Sequence, residues 1–176
     1  MKCRNCKSNL EKEFINLGKA PLSNGYKKNK KDLTKEKTFQ LRVLVCEKCW
    51  LVQTDDKVQY DEIFDKNYAY FSSFSKTWLN HSKKFADNSI KRFNLDSHSL
   101  VSEVASNDGY LLKFFQKSGI PCIGIEPTES TCISARKKGI ETIKEFFSSS
   151  LARKLRDKSK TSDLIIANNV LAHVPN

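Results

Sequence analysis

The sequence predicts an α/β protein built from a small β-rich N-terminal domain and a parallel, doubly wound sheet. Two features predict this division. A pair of Cys-x-x-Cys motifs lies near the N-terminus, and after residue 99 short apolar stretches alternate with stretches of helical periodicity. We place the N-terminal domain at residues 1–60, a connector with a helix at 61–98 and the sheet at 99–176.

Composition narrows the class of protein. The chain has 176 residues, 39% of them hydrophobic, and no apolar run approaches membrane-spanning length, so no membrane segment is predicted. The N-terminus shows no apolar stretch behind its charges, which predicts a cytoplasmic location without a signal peptide. A net charge of +11 could indicate nucleic-acid binding. The lysine-rich stretch 27–37, however, lacks aromatic residues and arginines, and we interpret it as a solvated loop.

The cysteine spacing indicates a metal site. Cys3 and Cys6 form one Cys-x-x-Cys pair, and Cys46 and Cys49 form another. Two such pairs are typical of a tetrahedral four-thiolate Zn²⁺ site, and the second would follow a strand predicted over residues 40–45. Unrelated reduced thiols or two redox pairs are the alternatives, and the paired spacing favours zinc. With all four positions taken by sulfur, the site is predicted to be structural.

A strand, a tight turn and a helix are predicted over residues 100–112. The strand is aliphatic, the helix carries apolar residues at helical spacing, and the turn between them consists of Ser106, Asn107, Asp108 and Gly109. Such a turn exposes helix N–H groups to a ligand. Glu126 ends the next predicted strand, where an acid can bind a ribose diol, so the pair favours a nucleoside cofactor over an ordinary β-turn-α unit.

Further strands are predicted at 141–146 and 163–168. Ligands bind at the carboxyl ends of parallel strands, and four candidate residues fall at such ends: Ser106, Glu126, Phe146 and Asn168. Residues 68–75 are rich in aromatic and hydroxyl side chains. Two interpretations of this stretch stay open: packing between domains, or the lining of a sugar or phosphate pocket.

Several motifs resemble those of one enzyme family, the nucleotide-sugar C-methyltransferases. In the N-terminal part these are the first Cys-x-x-Cys, Leu17-Gly-x-x-Pro-Leu22 and Cys46-x-x-Cys-x-Leu-Val-Gln53. Further on they are Tyr68-x-Tyr-x-Ser-Ser73, Glu103-x-Ala-Ser-Asn-Asp-Gly-Tyr110, Gly124-Ile-Glu-Pro127, Gly139-Ile-Glu-Thr-Ile143 and Ala167-Asn-Asn-Val-Leu-Ala-His-Val-Pro175. The motifs occur in order along the whole chain.

The resemblance implies a zinc-binding domain followed by an incomplete Rossmann-like class I methyltransferase sheet. It also implies S-adenosylmethionine as cofactor and a nucleotide-linked keto deoxysugar as substrate. The cofactor-binding residues it implies are Glu103, Ser106, Asn107, Asp108, Gly109, Glu126, Phe146, Phe147 and Asn168. The implied catalytic candidates, on the substrate side, are Tyr68, Tyr70 and His173.

Members of the family have a C-terminal domain with a Tyr-x-Glu-His element, for which this sequence shows no counterpart before Asn176. The expectation is therefore a fragment, or one chain of a split protein that needs a second chain. Two rival functions remain: a non-catalytic subunit that binds the cofactor or the sugar, and a zinc-ribbon module that binds nucleic acid. The second rival leaves the motif over residues 103–109 and Glu126 unexplained.

Overall fold

The structure is a computed structural model that describes residues 1–55, 63–64, 68–171 and 174. The chain divides into two compact units, Met1–Ile63 and Phe64–Asn176. Within the described residues, no helix has the length and apolar character needed to cross a membrane.

The first unit is built on an antiparallel sheet. Its strands are β1 (Glu13–Pro21), β2 (Thr38–Val45) and β3 (Val52–Thr54), in the order β1-β2-β3. A short exposed helix, α1 (Lys30–Leu33), lies within the lysine-rich stretch that was predicted to be a loop. The strand predicted over residues 40–45 is present as β2, and it leads directly into the second Cys-x-x-Cys pair.

The second unit alternates helices and strands. Its elements in chain order are a 3₁₀ turn (Ser72–Phe74), α2 (Lys76–Phe93), β4 (Val101–Val104), α3 (Leu112–Lys117), β5 (Cys122–Ile125), α4 (Glu129–Lys137), β6 (Glu141–Ile143), α5 (Ser149–Asp157) and β7 (Leu164–Ile166). The four strands are parallel and lie in the order β6-β5-β4-β7.

This strand order explains where a site can form. The chain starts the sheet at β4, adds β5 and β6 on one side, and then crosses to place β7 on the other side of β4. The order is that of the first strands of a doubly wound sheet, whose ligands bind at the carboxyl ends near the reversal. The prediction of an α/β chain with a Rossmann-like parallel sheet is therefore confirmed.

The core of the second unit surrounds β4. All four residues of this strand are buried, which means that both faces of the sheet are covered, because successive side chains point to opposite faces. The core includes Val101 of β4, Leu112 and Phe115 of α3, and Ala86 of α2, each completely buried. Close packing around these buried side chains holds the strand end, and the turn that follows it, in one position.

Candidate metal centre and cofactor site

The two Cys-x-x-Cys pairs adopt the same backbone conformation. The amide of Lys7 donates to the carbonyl of Cys3 at 3.0 Å, and the amide of Trp50 donates to the carbonyl of Cys46 at 2.8 Å. Lys7 and Trp50 each lie four residues after the first cysteine of their pair, and both are left-handed, with φ of +61° and +62°. Each pair thus curls around its two sulfur atoms, although the pairs lie far apart in the sequence.

The four sulfur atoms converge. The Sγ atoms of Cys3 and Cys49 are 3.6 Å apart, and those of Cys6 and Cys46 are 3.5 Å apart. All four lie within 4.8 Å of one another. Sulfurs that each sit about 2.3 Å from a tetrahedral zinc ion are separated by about 3.8 Å, so the cluster fits Zn²⁺.

Two neutral side chains donate hydrogen bonds to this cluster. The Ser8 hydroxyl lies 3.2 Å from the sulfur of Cys46, and this contact is the main reason that the pKa of Cys46 is lowered to about 6. The Gln53 amide of β3 donates to the sulfur of Cys3 at 3.4 Å and accepts from the amide of Arg4 at 3.1 Å. Both contacts favour the thiolate form, which is the form that binds metal.

Replacement of Gln53 by leucine is expected to lower zinc affinity roughly tenfold or more, because outer contacts of this kind orient the ligands. Gln53→Glu should weaken binding further, since a carboxylate would then face a thiolate. Competition with a chromophoric chelator measures the affinity, and the absorption bands of the Co²⁺-loaded protein report the thiolate geometry. Gln40→Leu, a change on the neighbouring strand β2, serves as control. Equal affinities for Gln53→Leu and the control would show that the Gln53 contact is unimportant.

The second candidate region is the turn between β4 and α3, residues 106–109, called here the β4–α3 turn. Alternate residues around it are left-handed: Ala105 at φ +55°, Asn107 at +51° and Gly109 at +74°. The amide of Gly109 closes the turn by donating to the carbonyl of Ser106 at 3.0 Å. Left-handed conformations are costly outside glycine and asparagine, so the surrounding structure must hold this turn in place.

Two glycines make room for the turn. A Cβ atom on Gly124 of β5 would lie 2.4 Å from the Ser106 hydroxyl, and one on Gly109 would lie 2.3 Å from the Cδ1 atom of Ile140. Strand β5 and the turn therefore approach each other more closely than any larger residue would allow. This approach also brings the end of β5, and with it Glu126, next to the turn.

Glu126 is joined to the turn by hydrogen bonds. One carboxylate oxygen accepts from the amide of Asn107 at 2.8 Å. The other accepts from the amide of Thr128 at 2.9 Å and from the hydroxyl of the same residue. The oxygen that faces Asn107 has two lone pairs and accepts one hydrogen bond from the described residues, so it can accept another from a ligand.

Asp108 is a buried residue of the turn and forms an ion pair with the partly exposed Lys138. Its carboxylate lies 2.9 Å from the Lys138 ammonium, which also donates to the Asp108 carbonyl at 2.8 Å. The other carboxylate oxygen and the hydroxyl of Ser106 are buried without a hydrogen-bond partner among the described residues. Buried polar atoms of this kind need a partner. The turn therefore holds a hydroxyl and a carboxylate oxygen that a polar ligand such as S-adenosylmethionine would have to satisfy.

The two candidate tyrosines lie on a segment that contacts the turn. The carbonyl of Tyr70 accepts from the side-chain amide of Asn107 at 3.0 Å, and the carbonyl of Tyr68 accepts from the hydroxyl of Ser130 at 3.1 Å. Tyr70 is 50% exposed. Burial and the nearby charge of Glu126 raise the pKa of Tyr68, which keeps its phenol protonated.

The other predicted site residues lie in different surroundings. Glu103 is completely buried in β4, and this burial raises the pKa of its carboxyl well above the usual range. Phe146 and Phe147 follow β6 and are partly buried, while Asn168 follows β7, is exposed and interacts with the Tyr110 hydroxyl. His173 lies outside the described residues.

Some contributors were not singled out from the sequence. These residues, which contact the cysteine cluster or the β4–α3 turn, are Ser8, Gln53, Thr128, Ser130 and Lys138. Ser8, Gln53 and Thr128 lie close in sequence to predicted site residues, a proximity that could have indicated them, and Gln53 also ends one of the motifs quoted above. Lys138 is distant in sequence from its partner Asp108 and gave no such signal.

Two comparisons with known proteins match this chain. Residues 3–64 match a family model described as a "putative zinc binding domain". The chain is also 27% identical, over 173 residues, to the C-methyltransferase NovU of Streptomyces niveus. That similarity covers 98% of this chain and 41% of the relative, so the chain spans less than half of the relative's length. The resemblance inferred from the motifs is therefore confirmed: the N-terminal unit matches a zinc-binding domain family, and the chain is similar to a C-methyltransferase over nearly its whole length.

Proposed function

We propose that the chain belongs to an S-adenosylmethionine-dependent C-methyltransferase that acts on a nucleotide-linked keto deoxysugar. The similarity to a C-methyltransferase supports the reaction class. The cofactor and the sugar come from the motif resemblance, and the site geometry supports the cofactor. Because the chain spans 41% of that relative, the complete reaction is proposed for the whole enzyme.

One observation carries the cofactor proposal. Glu126 lies at the carboxyl end of β5 and is hydrogen-bonded to the β4–α3 turn at the carboxyl end of β4. A strand-end carboxylate beside a tight turn is the arrangement that binds the ribose and the adjoining part of a nucleoside cofactor. Ser106 and Asp108 supply buried polar atoms in the same turn.

The roles of the residues follow from this placement. Glu126 would hold the ribose hydroxyls, the turn would contact the methionine portion, and Phe146 and Phe147 would border the adenine. The bound cofactor supplies an electrophilic methyl group. Among the substrate-side residues, Tyr68 keeps its proton at neutral pH and Tyr70 is accessible, so both suit donation of a hydrogen bond to an enolate oxygen.

Proton abstraction from the sugar carbon needs a separate base within hydrogen-bond reach of that proton. A phenol with a raised pKa is a poor base near neutral pH, which argues against Tyr68 in that role. His173 is the imidazole we propose to test. The Tyr-x-Glu-His element of the family that this chain resembles is the other candidate.

The test separates binding from turnover. We expect the zinc-loaded 176-residue chain to bind S-adenosylhomocysteine in a calorimetric titration, and to show no methyl transfer to a 4-keto deoxysugar nucleotide when it is alone. Absence of cofactor binding by the folded chain would contradict the proposal. Turnover by the chain alone, abolished by His173→Asn, would make that histidine the base. Binding with no turnover under any combination of chains would instead indicate a non-catalytic subunit.

A further inference from the structure

The segment that carries the two tyrosines, residues 68–73, is held by side chains of the parallel-sheet unit rather than by strand pairing. The Tyr68 carbonyl accepts from the Ser130 hydroxyl, and the Ser73 hydroxyl accepts from the Lys138 ammonium at 3.1 Å. The part of the segment between these two anchors is bound by Asn107 of the β4–α3 turn. This asparagine is the residue through which the segment and the turn are joined most directly.

Asn107 contacts the segment with both ends of its side-chain amide. Its Nδ2 group donates to the Tyr70 carbonyl at 3.0 Å, and its Oδ1 atom accepts from the amide of Ser72 at 2.9 Å. A carbonyl and the amide two residues later point to the same side of an extended chain. The side-chain amide of Asn107 therefore takes the place that a peptide group of a neighbouring strand would occupy.

The main chain of Asn107 connects the turn to Glu126. The main-chain amide of Asn107 donates to the carboxylate of Glu126, the proposed ribose ligand, at 2.8 Å. Asn107 is also left-handed, at φ +51°, which asparagine tolerates better than most residues. One residue thus links the tyrosine segment, the turn and the strand-end carboxylate.

We propose that Asn107 is a positioning residue that couples the tyrosine segment to the cofactor site, so that binding of the cofactor orders the residues that face the sugar. The two hydrogen bonds from the Asn107 side chain to Tyr70 and Ser72 are called here the clamp, and they are seen in the structure. The coupling to cofactor binding rests on the proposed function. Ser72 is 6% exposed, so its amide needs the Asn107 acceptor to be satisfied. Loss of that acceptor should loosen the middle of the segment, between its anchors at Tyr68 and Ser73, without removing the main-chain bond to Glu126.

Amide hydrogen exchange, followed residue by residue by NMR, tests the clamp. Asn107→Gly keeps the left-handed backbone and removes only the side chain, and it should lower the protection of the Ser72 amide roughly tenfold or more, as expected for the loss of two hydrogen bonds. Asn107→Asp keeps the acceptor for the Ser72 amide but places an oxygen opposite the Tyr70 carbonyl, so it should restore only part of that protection. Asn94→Gly, at the left-handed C-terminal cap of α2, is the matched control and should leave Ser72 unchanged.

The same measurement with S-adenosylhomocysteine tests the coupling. In the unmodified chain the ligand should raise the protection of Ser72, and in Asn107→Gly, also saturated with the ligand, that response should disappear. Unchanged Ser72 protection in Asn107→Gly, or an equal loss in the Asn94→Gly control, would overturn the clamp. A ligand that binds without any effect on Ser72 would overturn the coupling. If the unmodified chain binds no ligand, the proposed function fails, and the clamp is still decided by the exchange data.

Discussion

Simultaneous replacement of Cys3 and Cys46 by serine is expected to remove the metal and unfold the N-terminal unit. Among the described residues of that unit, the buried hydrophobic cluster consists of Cys3, Leu10, Leu44 and Cys46. Two aliphatic side chains cannot offset the conformational entropy of a domain of this size. A structural zinc ion contributes about 10–16 kcal/mol of apparent binding free energy in small domains, and here that energy would become folding energy.

Metal analysis and thermal unfolding measure the outcome. The unmodified chain should contain about one zinc per chain, as a four-thiolate site requires. The double variant should contain none and lose the unfolding transition of the N-terminal unit. Cys122→Ser, which changes a partly buried thiol outside the cluster, is the matched control and should retain its zinc. A full complement of zinc in the double variant would refute the four-thiolate assignment.

Replacement of Glu126 by glutamine is expected to weaken cofactor binding by about ten- to a hundredfold, because hydrogen bonds to a charged group contribute about 1.5–3 kcal/mol. The variant should also destabilise the turn. Each carboxylate oxygen of Glu126 accepts from a backbone amide, one from Asn107 and one from Thr128. A glutamine side chain has only one oxygen, so its NH₂ group must face one of these donors in either orientation.

Calorimetric titration with S-adenosylhomocysteine measures the first effect and denaturant unfolding the second, for which we expect a loss of about 1–3 kcal/mol. Glu129→Gln is the matched control. Glu129 lies three residues further on, at the start of α4, and is half exposed in an ion pair with Lys144. Exposed pairs contribute little, so the control should bind and unfold almost normally. An unchanged dissociation constant for Glu126→Gln would show that another residue binds the ribose.

Much of the architecture could be predicted because local sequence and local structure agree. The helix α2 has apolar residues at helical spacing between a serine cap and a left-handed asparagine, and the structure places it at Lys76–Phe93. The turn could be located because Ser106, Asn107, Asp108 and Gly109 suit few other conformations. The cysteine cluster could be predicted because its spacing reflects the geometry of one metal ion.

Partners that are distant in sequence could not be predicted in this way. Lys138 pairs with Asp108, and Asn107 binds the backbone of Tyr70 and Ser72. Nothing in the local sequence around a lysine or an asparagine encodes which distant group it will meet. Those pairs depend on how the helices and strands pack.

Periodicity and short-range spacing encode the alternation of strands and helices in the second unit, the four clustered cysteines and the position of the turn, so these features could be predicted. The remaining features depend on how distant elements pack. The parallel packing of β4 and β5 placed Glu126 against Asn107, and the close approach at Gly124 allowed it. The tyrosine segment contacts the turn through backbone groups, which are the same in every residue and leave no trace in the sequence.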